Sequence, residues 1–237
     1  MIRRRLTAAV ILAVGAALIG AQSASAAPAG AWTGASATTR SASPAANSGL
    51  AADTLGTRSL AEVLLSDGDT FDRNWYDYDI VTQAVLAVLS AKPSSPVAVL
   101  TKGEVALTAF IPNDRAFQVL AYDLTKKWSW TEKSVFESLA ATAGIDTIEK
   151  VLLYHVVPGA TIDSATALAS DGARLTTALP GASFTVDVLS TRYAVVRLID
   201  NDRNDIDAYL NPRSLNLNAG NRQIAHGVVF VLRPLDL

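Results

Sequence analysis

Apolar positions recur at helical spacing through the first half of this chain and alternate with polar ones in the second, the change falling near Gly172. Ser59 to Leu65 combines a serine cap, Glu62 three residues on and apolar residues at i, i+3 and i+4, which predicts a helix closed by Gly68. Ile80 to Ala91 is apolar on most faces, so a buried helix is expected there, with Pro93 and Pro96 preventing its extension. Val105 to Ile111 reads as a strand running into Pro112, and Asn113 or Asp114 can cap the helix that leaves the corner over Ala116 to Leu124. Thr131 to Ala143 is amphipathic and stops at Gly144, Asp146 with Glu149 starts a helix through Leu153, and Asp163 to Asp171 gives a short one. After Gly172, Arg174 to Thr177, Phe184 to Leu189, Tyr193 to Ile199 and Gln223 to Leu232 are β-branched runs bounded by turn residues. Helices set ahead of consecutive, mostly antiparallel strands predict an α+β fold.

Composition changes the picture mainly at the N-terminus. Arg3, Arg4 and Arg5 precede an apolar run from Leu6 to about Ile19, and Ala24-Ser25-Ala26 follows, so residues 1–26 are expected to be a cleaved secretory signal peptide. Residues 27–57 are rich in Ala, Ser, Thr, Gly and Pro without a period, the pattern of a disordered tether, and 58–237 are expected to form one domain. Without Arg3 to Arg5 the 20 basic residues fall to 17 against 22 acidic, a formal charge of −5 that argues against nucleic-acid binding. Cysteine is absent, so no disulfide supports the core. A secreted, extracellular or surface-associated protein follows, one that meets the membrane only through the cleaved signal peptide.

Three separated segments carry a family pattern. Thr108-Ala109-Phe110-Ile111-Pro112-Asn113-Asp114-Arg115-Ala116-Phe117 is similar to the first signature box of fasciclin domains. Leu152-Leu153-Tyr154-His155-Val156-Val157-Pro158-Gly159 resembles the central box, and Gln223 to Leu232 resembles the closing one, with His226 where many members carry Asn. The resemblance spans about Arg58 to Leu237 and implies a wedge of two packed β-sheets with a cluster of helices. It also implies a noncatalytic role in extracellular adhesion or matrix interaction, with a protein or polysaccharide partner. In some animal members the Tyr-His segment is associated with integrin binding, which places Tyr154 and His155 among candidate ligand residues.

Candidate chemistry is sparse. Only two histidines occur, and no G-x-S-x-G elbow, P-loop or H-E-x-x-H motif follows the leader, so no catalytic residue, cofactor or metal ligand is assigned. His155 is expected to be a buried hydrogen-bonding group sharing a polar network with Asp114, and Phe110 and Phe117 are expected in the core. Asn74-Trp75-Tyr76-Asp77-Tyr78-Asp79 places aromatics beside acids; sugar rings stack on such residues, while the simpler reading packs Trp75, Tyr76 and Tyr78 over the Ile80 helix. A glycan-acting enzyme using carboxylates in that segment is the alternative function. Trp128 and Trp130 beside Lys126 and Lys127 suit an anionic polymer or surface, or else end a helix. Asp200 to Asp207 spaces acids as calcium loops do but lacks the required glycine and closing glutamate, so a solvated Asx-rich turn is the first reading.

Overall fold

The computed structural model of the protein describes residues 54–66, 68 and 70–235. The expected signal peptide, and the expected tether as far as residue 53, lie outside the described residues. Gly56, assigned to the tether from sequence, instead pairs with Asn221 as an isolated parallel bridge, so ordered structure begins before Arg58. No helix among the described residues is long and apolar enough to cross a membrane.

Local sequence chemistry explains the helix ends. In α1 (Leu60–Leu64) the Ser59 hydroxyl accepts from the Glu62 N–H while the Glu62 carboxylate accepts from the Ser59 N–H. That reciprocal pair satisfies two donors that a helix start leaves open. The buried helix α2 (Asp79–Ala91) is followed by a 3₁₀ turn, Pro96–Thr101, which begins on its proline. Helix α3 spans Asp114–Thr125, and α4 (Glu132–Tyr154) joins the two helices expected from sequence across a kink at Gly144. Gly144 has φ 74°, a left-handed value that costs other residues more, so the expected break survives as a bend. Helix α5 (Ser164–Leu168) is capped by Asp163.

Strands β1 (Leu107–Pro112), β2 (Val156–Pro158) and β7 (Gln223–Val228) form one sheet in the order β2-β1-β7. Strand β1 runs antiparallel to β2 and parallel to β7, with Phe110 opposite His226. Strands β3 (Arg174–Thr176), β4 (Ser183–Ser190), β5 (Val195–Ile199) and β6 (Ala208–Tyr209) form an antiparallel second sheet in chain order. The closing strand stops at Val228 rather than Leu232, and β6 was not evident from sequence.

The period-2 alternation of β1 explains the layers. Leu107, Ala109 and Ile111 join the helical core with Ile80, Val85, Phe117 and Leu152, whereas Phe110 joins the inter-sheet core with Phe184, Val196 and Leu198. Phe110 meets Phe184 edge-on with ring centroids 5.2 Å apart, a favoured aromatic geometry. The result is an α+β domain of helices packed on one sheet, which packs in turn on the other.

Two closing-box residues hold the layers close. A Cβ on Gly227 would come within 2.6 Å of both the Ser214 side chain and the Tyr78 hydroxyl, so only glycine fits there without displacement. The fully buried Gln223 accepts from the Leu60 N–H at 2.8 Å and donates to the Val99 and Lys102 carbonyls, each also at 2.8 Å. One side chain thereby clips α1 and the 3₁₀ turn to β7.

Candidate functional site

The opening corner is a double cap. Asn113 caps its own helix by accepting from the Ala116 N–H at 3.0 Å. Helix α2 has no side-chain cap from Tyr78, and Asp114, fully buried, supplies one from another helix: its Oδ1 accepts from Ile80 N–H at 2.9 Å and its Oδ2 from Asp79 N–H at 3.2 Å. A carboxyl group at a helix start satisfies amides that the helix itself leaves open. The Asp114 N–H donates to Asp77 O at 3.1 Å and the Arg115 N–H to Trp75 O at 2.9 Å, so the 71–78 loop is fastened to the start of α3.

Tyr154 and His155 are buried architecture. The Tyr154 hydroxyl donates to Ser183 O at 3.0 Å, and burial pushes its pKa up. His155 Nδ1 lies 2.7 Å from Val151 O and Nε2 accepts from the Leu232 N–H at 2.9 Å, which fixes a neutral ring with its proton on Nδ1. Burial holds its pKa down at about 4. These residues offer nothing to an external ligand, so their place on a candidate ligand surface is corrected. So is the shared network with Asp114: both are buried, but Asp114 serves the start of α2 and His155 joins α4 to the C-terminal segment. His226 behaves similarly, with Nε2 2.8 Å from Ile162 O and Nδ1 accepting from the Asn216 N–H at 3.3 Å.

The aromatic candidates divide. Trp75 and Tyr78 pack against the helical core, as the simpler reading expected, while Tyr76 is 75% exposed. Trp130 is 78% exposed and lies 6.0 Å from half-buried Trp128, which in turn meets Tyr122 at 5.3 Å and carries the Arg115 guanidinium over its ring at 5.1 Å. Gln118 holds this arrangement by donating to Ser129 O at 2.6 Å and accepting from Arg115. Tyr122 also borders a groove with Val119, Ile206 and Phe230, whose polar end is Asp205 and Arg233. Neither Tyr122 nor Arg115 was singled out from sequence, because their helical spacing marks only an exposed face.

The Asp200 to Asp207 loop is organised by an arginine. Arg233, largely buried, places Nη1 2.8 Å from Asp123 Oδ2 and 3.5 Å from Asp202 Oδ2, with Nε 2.8 Å from Asp205 Oδ2. Its backbone N–H donates to Asp200 Oδ2 at 2.7 Å. Burial holds the Asp200 carboxyl up at about 7 despite the Arg233 and Asp202 N–H donors that favour its charge. Two of the loop's acids, Asp202 and Asp205, thus face a guanidinium from the C-terminal segment, a partner that sequence spacing could not reveal.

A second acidic corner lies beneath the 71–78 loop. Asp72, Asp77 and Glu132 bring one carboxylate oxygen each within 4.8 Å of one another, and Asp77, Asp79 and Asp114 do the same. Burial first, then the facing Asp77 carboxyl, raises the Asp114 pKa well above the usual carboxylate range. Burial likewise raises that of Glu132, the first residue of α4, which sequence reading passed over as part of a helix start. Of these five acids only Asp72 is exposed, so the corner does not present the accessible carboxylate pair that glycoside hydrolysis would use.

A FAS1 domain pair from the insect cell adhesion molecule fasciclin I is similar, with 13% identity and a TM-score of 0.48 over 74% of this chain and 50% of that one. The chain therefore spans half the length of that pair. No curated protein sequence matches it. The fasciclin domain model matches residues 82–231, which take in all three signature boxes as far as Val231. The chain belongs to the fasciclin domain family.

Proposed function

We propose that this fasciclin-domain protein is a noncatalytic extracellular adhesion module whose partner rests on the Trp130, Trp128 and Tyr122 surface. The observation that carries the reading is the exposed Trp130 next to a tryptophan braced by Arg115 and Gln118. Large rings held rigid at a surface lose little freedom on binding and can stack on sugar or peptide groups. The groove beyond Tyr122 lengthens that surface enough to follow a polymer, and a polysaccharide with apolar ring faces suits it best. The family and the adhesive role of the insect relative support the class of function. Secretion rests on the leader sequence of residues 1–26.

The test is binding of the purified domain to immobilised exopolysaccharides and to whole cells. Trp130→Ala should lower affinity about tenfold, corresponding to about 1.4 kcal/mol. Unchanged binding by that variant would reject this surface as the site. A protein array in place of glycans would decide between a polysaccharide and a protein partner.

A further inference from the structure

We propose that the corner formed by Asp72, Asp77 and Glu132 is a divalent-cation site suited to calcium. The acids alone do not carry this. The decisive observation is that two buried carboxylate oxygens there, Asp77 Oδ1 and Glu132 Oε1, have no hydrogen-bond partner, although Asp77 is 8% and Glu132 1% exposed. A buried charged oxygen left unpaired is costly, and native structures rarely leave one without a partner. Among the described residues no lysine or arginine forms a salt bridge with Asp72, Asp77, Asp114 or Glu132.

The geometry suits an ion. Two ligands of one calcium at about 2.4 Å each stand at most about 4.8 Å apart, and the oxygens from these residues all lie within 4.8 Å of one another. The donors are all oxygens, which favours a hard cation over zinc, and both histidines are committed to backbone partners elsewhere. Asp72 is exposed and gives the ion a way in, while Asp77 and Glu132 form the floor. The remaining coordination would come from water. The Glu132 carboxylate already accepts from the Asp72 N–H at 2.6 Å, so an ion here would brace the 71–78 loop against the start of α4. Those are the segments that carry Tyr76 and follow Trp130.

Calorimetry and terbium luminescence on the purified domain test the assignment, since Trp75, Tyr76 and Tyr78 all lie within two residues of Asp77 in the chain and can sensitise a bound lanthanide. One calcium should bind with a Kd of roughly 10⁻⁴ to 10⁻³ M, displace terbium, and raise the Tm by roughly 3–10 °C at about 10 mM. Asp77→Asn and Glu132→Gln should abolish binding. Should those buried variants fail to fold, Asp72→Asn retains the oxygen that accepts from Asn74 N–H at an exposed position and should weaken calcium at least about tenfold. Glu137→Gln, on the exposed face of α4, should leave it unchanged. Absence of calcium heat and terbium emission up to about 10 mM, or equal binding by Asp72→Asn, would overturn the proposal.

Discussion

Two acidic corners of this domain have the same raw material and different solutions. Around Arg233, the carboxylates of Asp123, Asp202 and Asp205 stand within 2.8–3.5 Å of one guanidinium. Around Asp77, four other acids gather with backbone amides at one end, and among the described residues no lysine or arginine forms a salt bridge with Asp72, Asp77, Asp114 or Glu132. The first corner shares a guanidinium supplied by the chain, although Asp205 Oδ1 there has no hydrogen-bond partner; the second leaves Asp77 Oδ1 and Glu132 Oε1 without one. The difference teaches that acid spacing along a sequence is a poor guide to metal binding. The loop whose acids are spaced as in calcium loops, read first as an Asx-rich turn, pairs two of them with an arginine, and the corner proposed for calcium draws its ligands from residues 60 positions apart.

The comparison breaks most forcefully at Arg233. Arg233→Met would strand Asp202 and Asp205 in a buried setting and should cost about 3–5 kcal/mol in urea denaturation, with little recovery in calcium. A loss below about 1 kcal/mol would mean that the two corners differ less than their contacts suggest.

His155 gives a reference with no charged partner at all. Its folded pKa of about 4 lies below the ordinary 6.5, so the fold binds fewer protons there than the unfolded chain. Its contribution is whole above pH 6.5 and is lost as the pH falls towards 4, a change on the order of 3 kcal/mol. Asp200 slopes the other way: its folded pKa of about 7 exceeds the ordinary 3.8, so its contribution is whole below 3.8 and lost as the pH rises through 7. Because the slopes oppose, the check is an NMR titration of the imidazole itself. The ring should stay neutral with its proton on Nδ1 at pH 5 and titrate near 4, and a midpoint near 6.5 would contradict its burial.

The smallest effect is the most discriminating. In a chelator, Asp77→Asn removes one charge from an uncompensated cluster and should match or exceed the parent stability by about 1 kcal/mol; in calcium the order should reverse. Thermal denaturation in the two buffers reads this directly. If Asp77→Asn is less stable by the same amount in both, the corner is structural and needs no ion.

Local chemistry made much of the fold legible. Pro112 with Asn113 announced a strand turning into a helix, Gly144 a break, and His155 a buried hydrogen-bonding group, each from residues close in sequence, whereas Tyr154 was misplaced among candidate ligand residues. What was not legible lies between distant segments. The parallel β1–β7 pairing, the Asp114 cap on α2 and the Arg233 cluster each join residues 28 or more positions apart. No periodicity encodes such partners. The aromatic surface was half legible for the same reason: the Trp128 and Trp130 segment showed its rings, but Tyr122 and Arg115 join it only once α3 is folded.

The Gln223 clip has a mechanical consequence. Chain preceding the domain enters at Gly56, whose N–H donates to Gly220 O at 2.8 Å and whose carbonyl accepts from Arg222 N–H at 2.9 Å, immediately before Gln223 takes hold of Leu60. Tension drawn from the N-terminal side therefore reaches β7 within a few residues and enters the sheet, instead of peeling the helices away one by one.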